Sequence, residues 1–270
     1  LADVAVPDIG DGEALVKISH AGVNFIDVYM RSGVFKNSTT YPNVPPFTPG
    51  MEAAGVVEDV GASVDSSVED IKPGDRAAYC LSLGGYAEYA SIPAWKLVKV
   101  PDAVPLDVAA ALQLQGMTAH YLTHSLYPLK DGDSCLIHAG AGGMGQLAIQ
   151  LAKMRGAKVL VTVGSAEKAE IAKKRGADHA ILYRDVDFAE AVRDITDGEG
   201  VNVVYDSVGK DTIRQSIKCL KPRGVLSNNG NASGPIGALD PLDLAEAGSV
   251  FFTRPHLADY IPTPEARAER

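Results

Sequence analysis

The sequence predicts an α/β protein of two domains, a mostly-β domain followed by a doubly wound parallel sheet. Three observations predict it. Turn residues punctuate short strand-like runs through the first hundred residues, strand and helix patterns alternate strictly afterwards, and Gly140, Gly142 and Gly145 interrupt a strand-to-helix run between them. At 270 residues the chain is long enough for two cores, and 46% hydrophobic with 22% charged residues is the balance of a folded globular protein.

In chain order, residues 14–21 (ALVKISHA) alternate in part and predict a half-buried strand, and residues 22–29 open a short helix. Residues 33–49 predict a loop, because Pro42, Pro45, Pro46 and Pro49 forbid continuous helix or central strand. Residues 51–60 and 76–79 read as strands, with Lys72-Pro73-Gly74-Asp75 as a turn. After Gly84-Gly85, residues 87–92 repeat the pattern. A helical pattern follows over 104–126 with Gly116 as an expected break, and the domain boundary falls near it. The expected division is 1–112 for the first domain, 113–260 for the second and 261–270 for a tail too short to form another.

The most specific stretch is 131–168. Cys135-Leu136-Ile137 reads as a buried strand, and the three glycines stand at the GxGxxG spacing of a dinucleotide-binding turn. The first glycine permits the tight turn, the second lets backbone approach a pyrophosphate, and the third lets the next helix press on the sheet. That helix should turn its N-terminal N–H groups toward the phosphates. Met144, Leu147, Ala148, Leu151 and Ala152 form its apolar stripe, Gln146, Gln150 and Lys153 lie outside it, and Arg155 with Gly156 ends it. Residues 158–163 are β-branched without alternation, as a strand covered on both faces should be. The alternation continues through helix 166–175 capped by Gly176, strand 179–182, helix 188–196, strand 201–206, helix 211–220, strand 224–227 and a last strand at 250–253.

Composition narrows the function. A formal net charge of -9 disfavours a surface built to neutralise phosphates, so nucleic acid is not the expected main partner. No apolar run is long enough to span a bilayer and the start lacks the build of a signal peptide, which gives a cytoplasmic expectation and no membrane partner. Cys80, Cys135 and Cys219 are widely spaced, with no CxxC, and read as reduced thiols. The sequons at Asn37 and Asn231 are read as chance.

Charge also selects the cofactor. An NAD site places a carboxylate about 20 residues past the glycines, near Gly164 and Ser165, and none stands there. Lys168 lies just beyond, and a cation beside a hydroxyl suits a 2′-phosphate, so NADPH is expected over NADH. Glu167 should point to solvent.

Gly132-Asp133, Leu136, Gly140-Ala141-Gly142-Gly143, Gly145, Gln150 and Lys153 resemble, position for position, the signature of the quinone oxidoreductase (zeta-crystallin-like) family of zinc-independent medium-chain dehydrogenases. Further segments agree: Gly22 to Asp27 with Tyr29 and Arg31-Ser32-Gly33, Gly50 to Gly55, Gln115 to Thr118, Tyr205 to Gly209, and Thr253-Arg254-Pro255. The resemblance implies a GroES-like substrate domain, a Rossmann domain, NADPH as hydride donor, and a homodimer. It reads the opening at Leu1 as a missing N-terminal strand and 261–270 as a truncated tail. It puts Asn24 and Thr118 near the nicotinamide, Gly142, Gly143 and Met144 near the pyrophosphate with Gly140, and Gly164, Ser165, Lys168 and Tyr183 around the adenosine phosphate. Asn229, where relatives carry phenylalanine, and Gly230 fall on the nicotinamide side, and Thr253 joins the cofactor set.

Related zinc alcohol dehydrogenases would carry cysteine at Asn24 and histidine at Met51. Losing thiolate and imidazole argues against a catalytic metal. His120 and His124 share helical spacing, and an ordinary structural role is expected for them. Without an acid–base pair, the expected chemistry is hydride transfer to an electrophilic quinone, with Tyr29 and Asn24 as donors to the oxygen that gains charge. Alternatives are C=C reduction of enals or enones, and a nucleotide-gated RNA-binding or crystallin-like protein, against which the acidic balance weighs.

Overall fold

The computed structural model describes residues 2–41, 44–64 and 71–270; Pro42, invoked for the loop, lies outside the described residues. The chain forms two compact units, Leu1–Met117 with Ala258–Arg270, and Thr118–Leu257. The division falls later in the same helix than residues 112 and 113.

The first unit contains β1 (Glu13–Ala21), α1 (Phe25–Arg31), β2 (Glu52–Val60), β3 (Arg76–Cys80), β4 (Tyr89–Pro93), a 3₁₀ turn at Ala94–Lys96, and β5 (Val98–Lys99). They pair antiparallel in the order β4-β1-β2-β3-β5. Alternation in β1 buries Ala14 and Val16 against Val57, Tyr79 and Ile92. The predicted turn before β3 is formed, with Gly74 at φ +91° and Asp75 N–H on the Lys72 carbonyl at 3.1 Å. In β2, Glu52, Ala53, Ala54 and Gly55 are all buried, because Ala53 faces one apolar cluster and Ala54 another. Small residues allow that double covering, and a side chain at Gly55 would strike the Lys17 carbonyl on β1.

Helix α2 (Leu106–Tyr121) runs unbroken through Gly116 and ends in a π-helical turn at Leu122–Leu126. The expected break at Gly116 is therefore absent. One interior glycine costs only about 1 kcal/mol, and the buried neighbours Ala109, Ala110, Met117 and Ala119 outweigh it.

The second unit contains β6 (Ser134–Ile137), α3 (Gly143–Met154), β7 (Lys158–Val163), α4 (Ala166–Lys174), β8 (His179–Leu182), α5 (Phe188–Ile195), β9 (Val201–Asp206), α6 (Ile213–Lys218), β10 (Leu220–Asn228), α7 (Pro241–Glu246) and β11 (Phe251–Thr253). The strands pair parallel in the order β11-β10-β9-β6-β7-β8. The chain lays β7 and β8 on one side of β6 and then crosses to β9 on the other. That reversal falls at the carboxyl ends of β6 and β9, the usual ligand position in such sheets. Every residue of β7 after Lys158, and all of β9, is buried, as strands covered by helices on both faces must be.

Two further details differ from expectation. The buried face of α3 is Gly145, Ala148, Ile149 and Ala152, while Met144, Leu147 and Leu151 flank it half-buried, so the stripe is centred closer to Ile149. Residues 261–270, expected only to be too short for another domain, add to the first unit: after α8 (Leu257–Tyr260), α9 (Pro264–Ala268) packs there and buries Arg267.

Candidate functional site

The glycine corner leads out of β6. Gly140 N–H bonds the Thr162 carbonyl at 3.1 Å and Gly142 N–H bonds the Ala139 carbonyl at 2.8 Å, with Ala139 at φ +53°. The three glycines answer to different constraints. A Cβ at Gly140 would lie 2.5 Å from Val161 Cβ, and one at Gly145 would lie 2.5 Å from the Ala139 carbonyl, so both are required for packing. A Cβ at Gly142 would meet nothing nearer than that carbonyl at 3.2 Å. Nothing else lies within 4 Å of that position, and Gly142 is also the N-cap of α3 with no side chain to cap the helix. Uncapped first-turn N–H groups beside an open glycine backbone form a cradle for an anion such as a pyrophosphate.

The next cluster stands at the end of β7. Ser165 caps α4, its Oγ accepting the Lys168 N–H at 3.3 Å, which leaves its hydroxyl hydrogen for a ligand. Lys168 and Glu167 are both exposed on the first turn of α4. A Cβ at Gly164 would meet the Tyr183 hydroxyl at 3.0 Å and Arg184 Nε at 3.5 Å, so phenol and guanidinium converge over that glycine. Arg184 is a residue that the sequence reading missed. Its signal was a basic residue just past the end of a strand, beside Tyr183. The set of hydroxyl, phenol, guanidinium and ammonium suits a phosphate monoester.

At the ends of β9 and β10, Asp206 ties two turns together. Its Oδ1 accepts the Val208 and Gly209 N–H groups, each at 2.9 Å, and its carbonyl accepts Asn229 N–H at 2.8 Å and Gly230 N–H at 3.3 Å. A side chain at Gly230 would collide with the Ser207 carbonyl. Asn229 Oδ1 is buried and has no partner among the described residues. Beneath this layer His138 is sealed in: Nδ1 lies 2.8 Å from Thr162 Oγ1 and Nε2 2.9 Å from Ser216 Oγ, which donates to Asp206 Oδ2 at 2.8 Å. Burial pushes the His138 imidazole below its ordinary value, and the Asp206 charge opposes that. Thr118 on α2 and Thr253 at the end of β11 are half-buried.

In the first unit, Asn24 precedes α1 and is buried in a polar network. Its Nδ2 donates to Glu52 Oε2 at 2.6 Å and its Oδ1 accepts from Gln115 Nε2 at 3.0 Å. Asp27 Oδ2 accepts Asn24 N–H at 2.9 Å and the Tyr86 hydroxyl at 2.8 Å, and Asp27 Oδ1 accepts Met51 N–H at 3.0 Å. Burial raises the Glu52 carboxyl, aided by the Asp27 charge, while N–H donors from Leu114 and Asn24 pull it down. Glu52 was given no role at the sequence level, though an acid set directly before the small residues Ala53, Ala54 and Gly55 was its signal. Tyr29, the other nominated donor, is half-buried, with its ring 6.1 Å from Phe25 and 5.7 Å from Phe35.

Among the described residues no group of three or more His, Cys, Asp or Glu is placed to hold a metal. The imidazoles of His120 and His124 stack at 4.2 Å with an 11° interplanar angle. The three cysteines are free and buried. No helix among the described residues is long and apolar enough to cross a membrane.

A GroES-like antiparallel unit and a parallel sheet with a glycine corner define a two-domain medium-chain dehydrogenase/reductase. Family models agree: the alcohol dehydrogenase GroES-like domain matches residues 10–102 and the zinc-binding dehydrogenase model matches residues 143–255. The chain is 46% identical over 268 residues to a 2-haloacrylate reductase of Burkholderia sp, covering 96% of this chain and 77% of the relative. It is 43% identical over 266 residues to quinone oxidoreductase 1 of Escherichia coli strain K12, covering 97% and 78%. The crystal structure of Escherichia coli quinone oxidoreductase complexed with NADPH superposes with a TM-score of 0.93 at 41% identity, covering 99% of this chain and 80% of that one. The chain belongs to the quinone oxidoreductase family.

Proposed function

We propose that this chain reduces quinones with NADPH by hydride transfer, without a metal. The observation that carries the reading is the pairing of an open, uncapped glycine cradle at Gly142 with the Gly164 shelf on which Tyr183 and Arg184 converge. The first suits a pyrophosphate, the second a 2′-phosphate.

NADPH, when bound, supplies the hydride, two electrons and one nucleus, and a solvent proton completes the hydroquinone. Gly140, Gly142, Gly143 and Met144 form the backbone cradle for the pyrophosphate. Gly164, Ser165, Lys168 and Tyr183, now joined by Arg184, hold the adenosine phosphate. Thr118, Asn229, Gly230 and Thr253 line the nicotinamide side, and the unpartnered Asn229 Oδ1 is an acceptor for a carboxamide N–H. Asn24 and Tyr29 donate hydrogen bonds to the substrate oxygen as negative charge develops on it. Methionine at position 51 and asparagine at 24 are not zinc ligands, which supports the metal-free reading. A homodimer and a cytoplasmic location complete the reading; the free thiols Cys80, Cys135 and Cys219 fit a reducing compartment.

The similarity to a 2-haloacrylate reductase favours a second reading, hydride addition to an activated C=C bond. NADPH oxidation measured with a series of quinones and a series of enones separates the two. Turnover confined to quinones supports the first, turnover confined to enones the second, and no turnover with either refutes both. Asn24→Ala and Tyr29→Phe should each lower kcat by about tenfold or more.

A further inference from the structure

A primary amide can offer either its N–H or its oxygen to a ligand, because rotation by half a turn exchanges the two. At Asn24 the surroundings decide which. Glu52, whose Oε1 already takes the Leu114 N–H, accepts Asn24 Nδ2 on its Oε2 at 2.6 Å. Oδ1 then faces Gln115, whose Nε2 donates to it at 3.0 Å. The same carboxylate takes the Leu114 N–H on Oε1 at 2.5 Å, so both of its oxygens are engaged by N–H donors. Room for it is reserved as well: a side chain at Gly22 would run into the Glu52 carboxylate.

Glu52 is fully buried, and among the described residues no cation pairs with it. A buried carboxylate without an ionic partner weakens a fold more than it helps. Its use therefore lies in what it orients. Of the two Nδ2 hydrogens of Asn24, one goes to Glu52 and the second has no partner among the described residues.

We propose that Glu52 and Gln115 are positioning residues for the reduction, clamping the Asn24 carboxamide in the one rotamer that presents its remaining N–H to the substrate oxygen. This rests on the reading of Asn24 as a donor given above. Glutamine cannot replace Glu52 in the clamp, since two N–H donors converge on it and a carboxamide has one oxygen to accept them. Once that clamp is lost, the Asn24 amide turns over and offers an oxygen to a centre that is gaining negative charge.

The test uses the full chain with Glu52→Gln, Gln115→Ala, Asn24→Ala and the Asn24→Ala/Gln115→Ala double variant. Quinone turnover, the NADPH dissociation constant and the thermal midpoint are measured for each. In the cofactor-free protein, the side-chain amide signal of Asn24 is followed by nitrogen-15 NMR. Glu52→Gln and Gln115→Ala should each lower kcat about tenfold while NADPH affinity holds within about twofold, and the Asn24 amide signal should move to the position of an unrestrained amide. In the Asn24→Ala background, Gln115→Ala should have little further effect, because its action passes through Asn24. Full additivity, an unmoved Asn24 signal in Gln115→Ala, or unchanged turnover in the clamp variants when Asn24→Ala is impaired would overturn the clamp alone. Unchanged turnover in Asn24→Ala would remove the donor reading and the clamp together. Gln115→Ala, at a half-buried position, decides the matter if Glu52→Gln does not fold.

Discussion

Gly140 backs directly onto Val161: a Cβ built on the glycine would stand 2.5 Å from Cβ of the valine, while the same atom at Gly142 would meet only the Ala139 carbonyl, at 3.2 Å. Stability and binding should therefore separate along the glycine corner. Gly140→Ala should lower the unfolding free energy by about 1–3 kcal/mol through overpacking against β7. Gly142→Ala, at an extended backbone position that any residue adopts, needs the Ala139 carbonyl to give by only a few tenths of an ångström and should lose clearly less stability than Gly140→Ala. It should still weaken NADPH by about tenfold, since its methyl occupies the cradle. Thermal unfolding and NADPH titration of the two variants check the pair; equal losses of binding and stability in both would contradict the division.

Cofactor choice should depend on a shared cationic shelf. Lys168 is exposed on α4, and Arg184 approaches Gly164 from the end of β8. A charge-assisted bond to a 2′-phosphate is worth about 1.5–3 kcal/mol. Lys168→Ala should thus reduce the preference for NADPH over NADH by roughly 10- to 100-fold, and adding Arg184→Ala should erase most of what remains. NADH affinity should barely move. Dissociation constants for both nucleotides provide the measurement, and a parallel loss for NADH would show that the two cations hold some other part of the molecule.

The second unit was more legible in the sequence than the first, for physical reasons. Parallel strands covered on both faces are largely apolar runs, and residues 158–163 and 201–206 match β7 and β9 residue for residue. Gly156 and Gly176, both at positive φ, mark helix ends that only glycine reaches easily. In the first unit short pieces carry too little pattern: the two-residue β5 and the 3₁₀ turn at Ala94–Lys96 were not foreseen. Helices α7 and α9, each opening with proline, resemble loop sequence until tertiary packing is known. The glycine corner between β6 and α3 was readable because backbone geometry restricts residue type. Glu52 and Arg184 were harder to read, because their roles depend on which atoms fold beside them, and their local signals, an acid beside small residues and a base past a strand end, do not name those partners.

The sealed His138 gives the fold an acid-labile component. Burial depresses the imidazole, against the opposing pull of Asp206, so the unfolded chain binds this proton more readily than the native one. The contribution is fully present above the ordinary imidazole value of about 6.5 and is lost as pH falls from there through the lower folded value. The thermal midpoint should accordingly decline as pH falls below about 6.5. His138→Asn, which carries no titrating group, should cost about 1–3 kcal/mol at pH 7.5 by breaking the bonds to Thr162 and Ser216. It should also show a shallower decline on acidification. An acid slope unchanged in the variant would assign the lability to other groups.

Asp27 should matter for stability more than its surface-like composition suggests. Three donors meet on its carboxylate: Asn24 N–H, Met51 N–H and the Tyr86 hydroxyl. Tyr86→Phe removes one donor and leaves the other two bonded, which should cost about 1 kcal/mol. Asp27→Ala strands the buried Asn24 and Met51 N–H groups, which cannot be removed, while the exposed Tyr86 hydroxyl can turn to water, and it should cost about 2–4 kcal/mol. Because Asn24 N–H is one of those groups, Asp27→Ala should also loosen the start of α1 and lower quinone turnover. Tyr86→Phe should keep turnover within a few-fold of native. Denaturant unfolding of both variants tests the ordering, and a Tyr86→Phe loss as large as that of Asp27→Ala would mean that the phenol, and not the carboxylate, organises this corner.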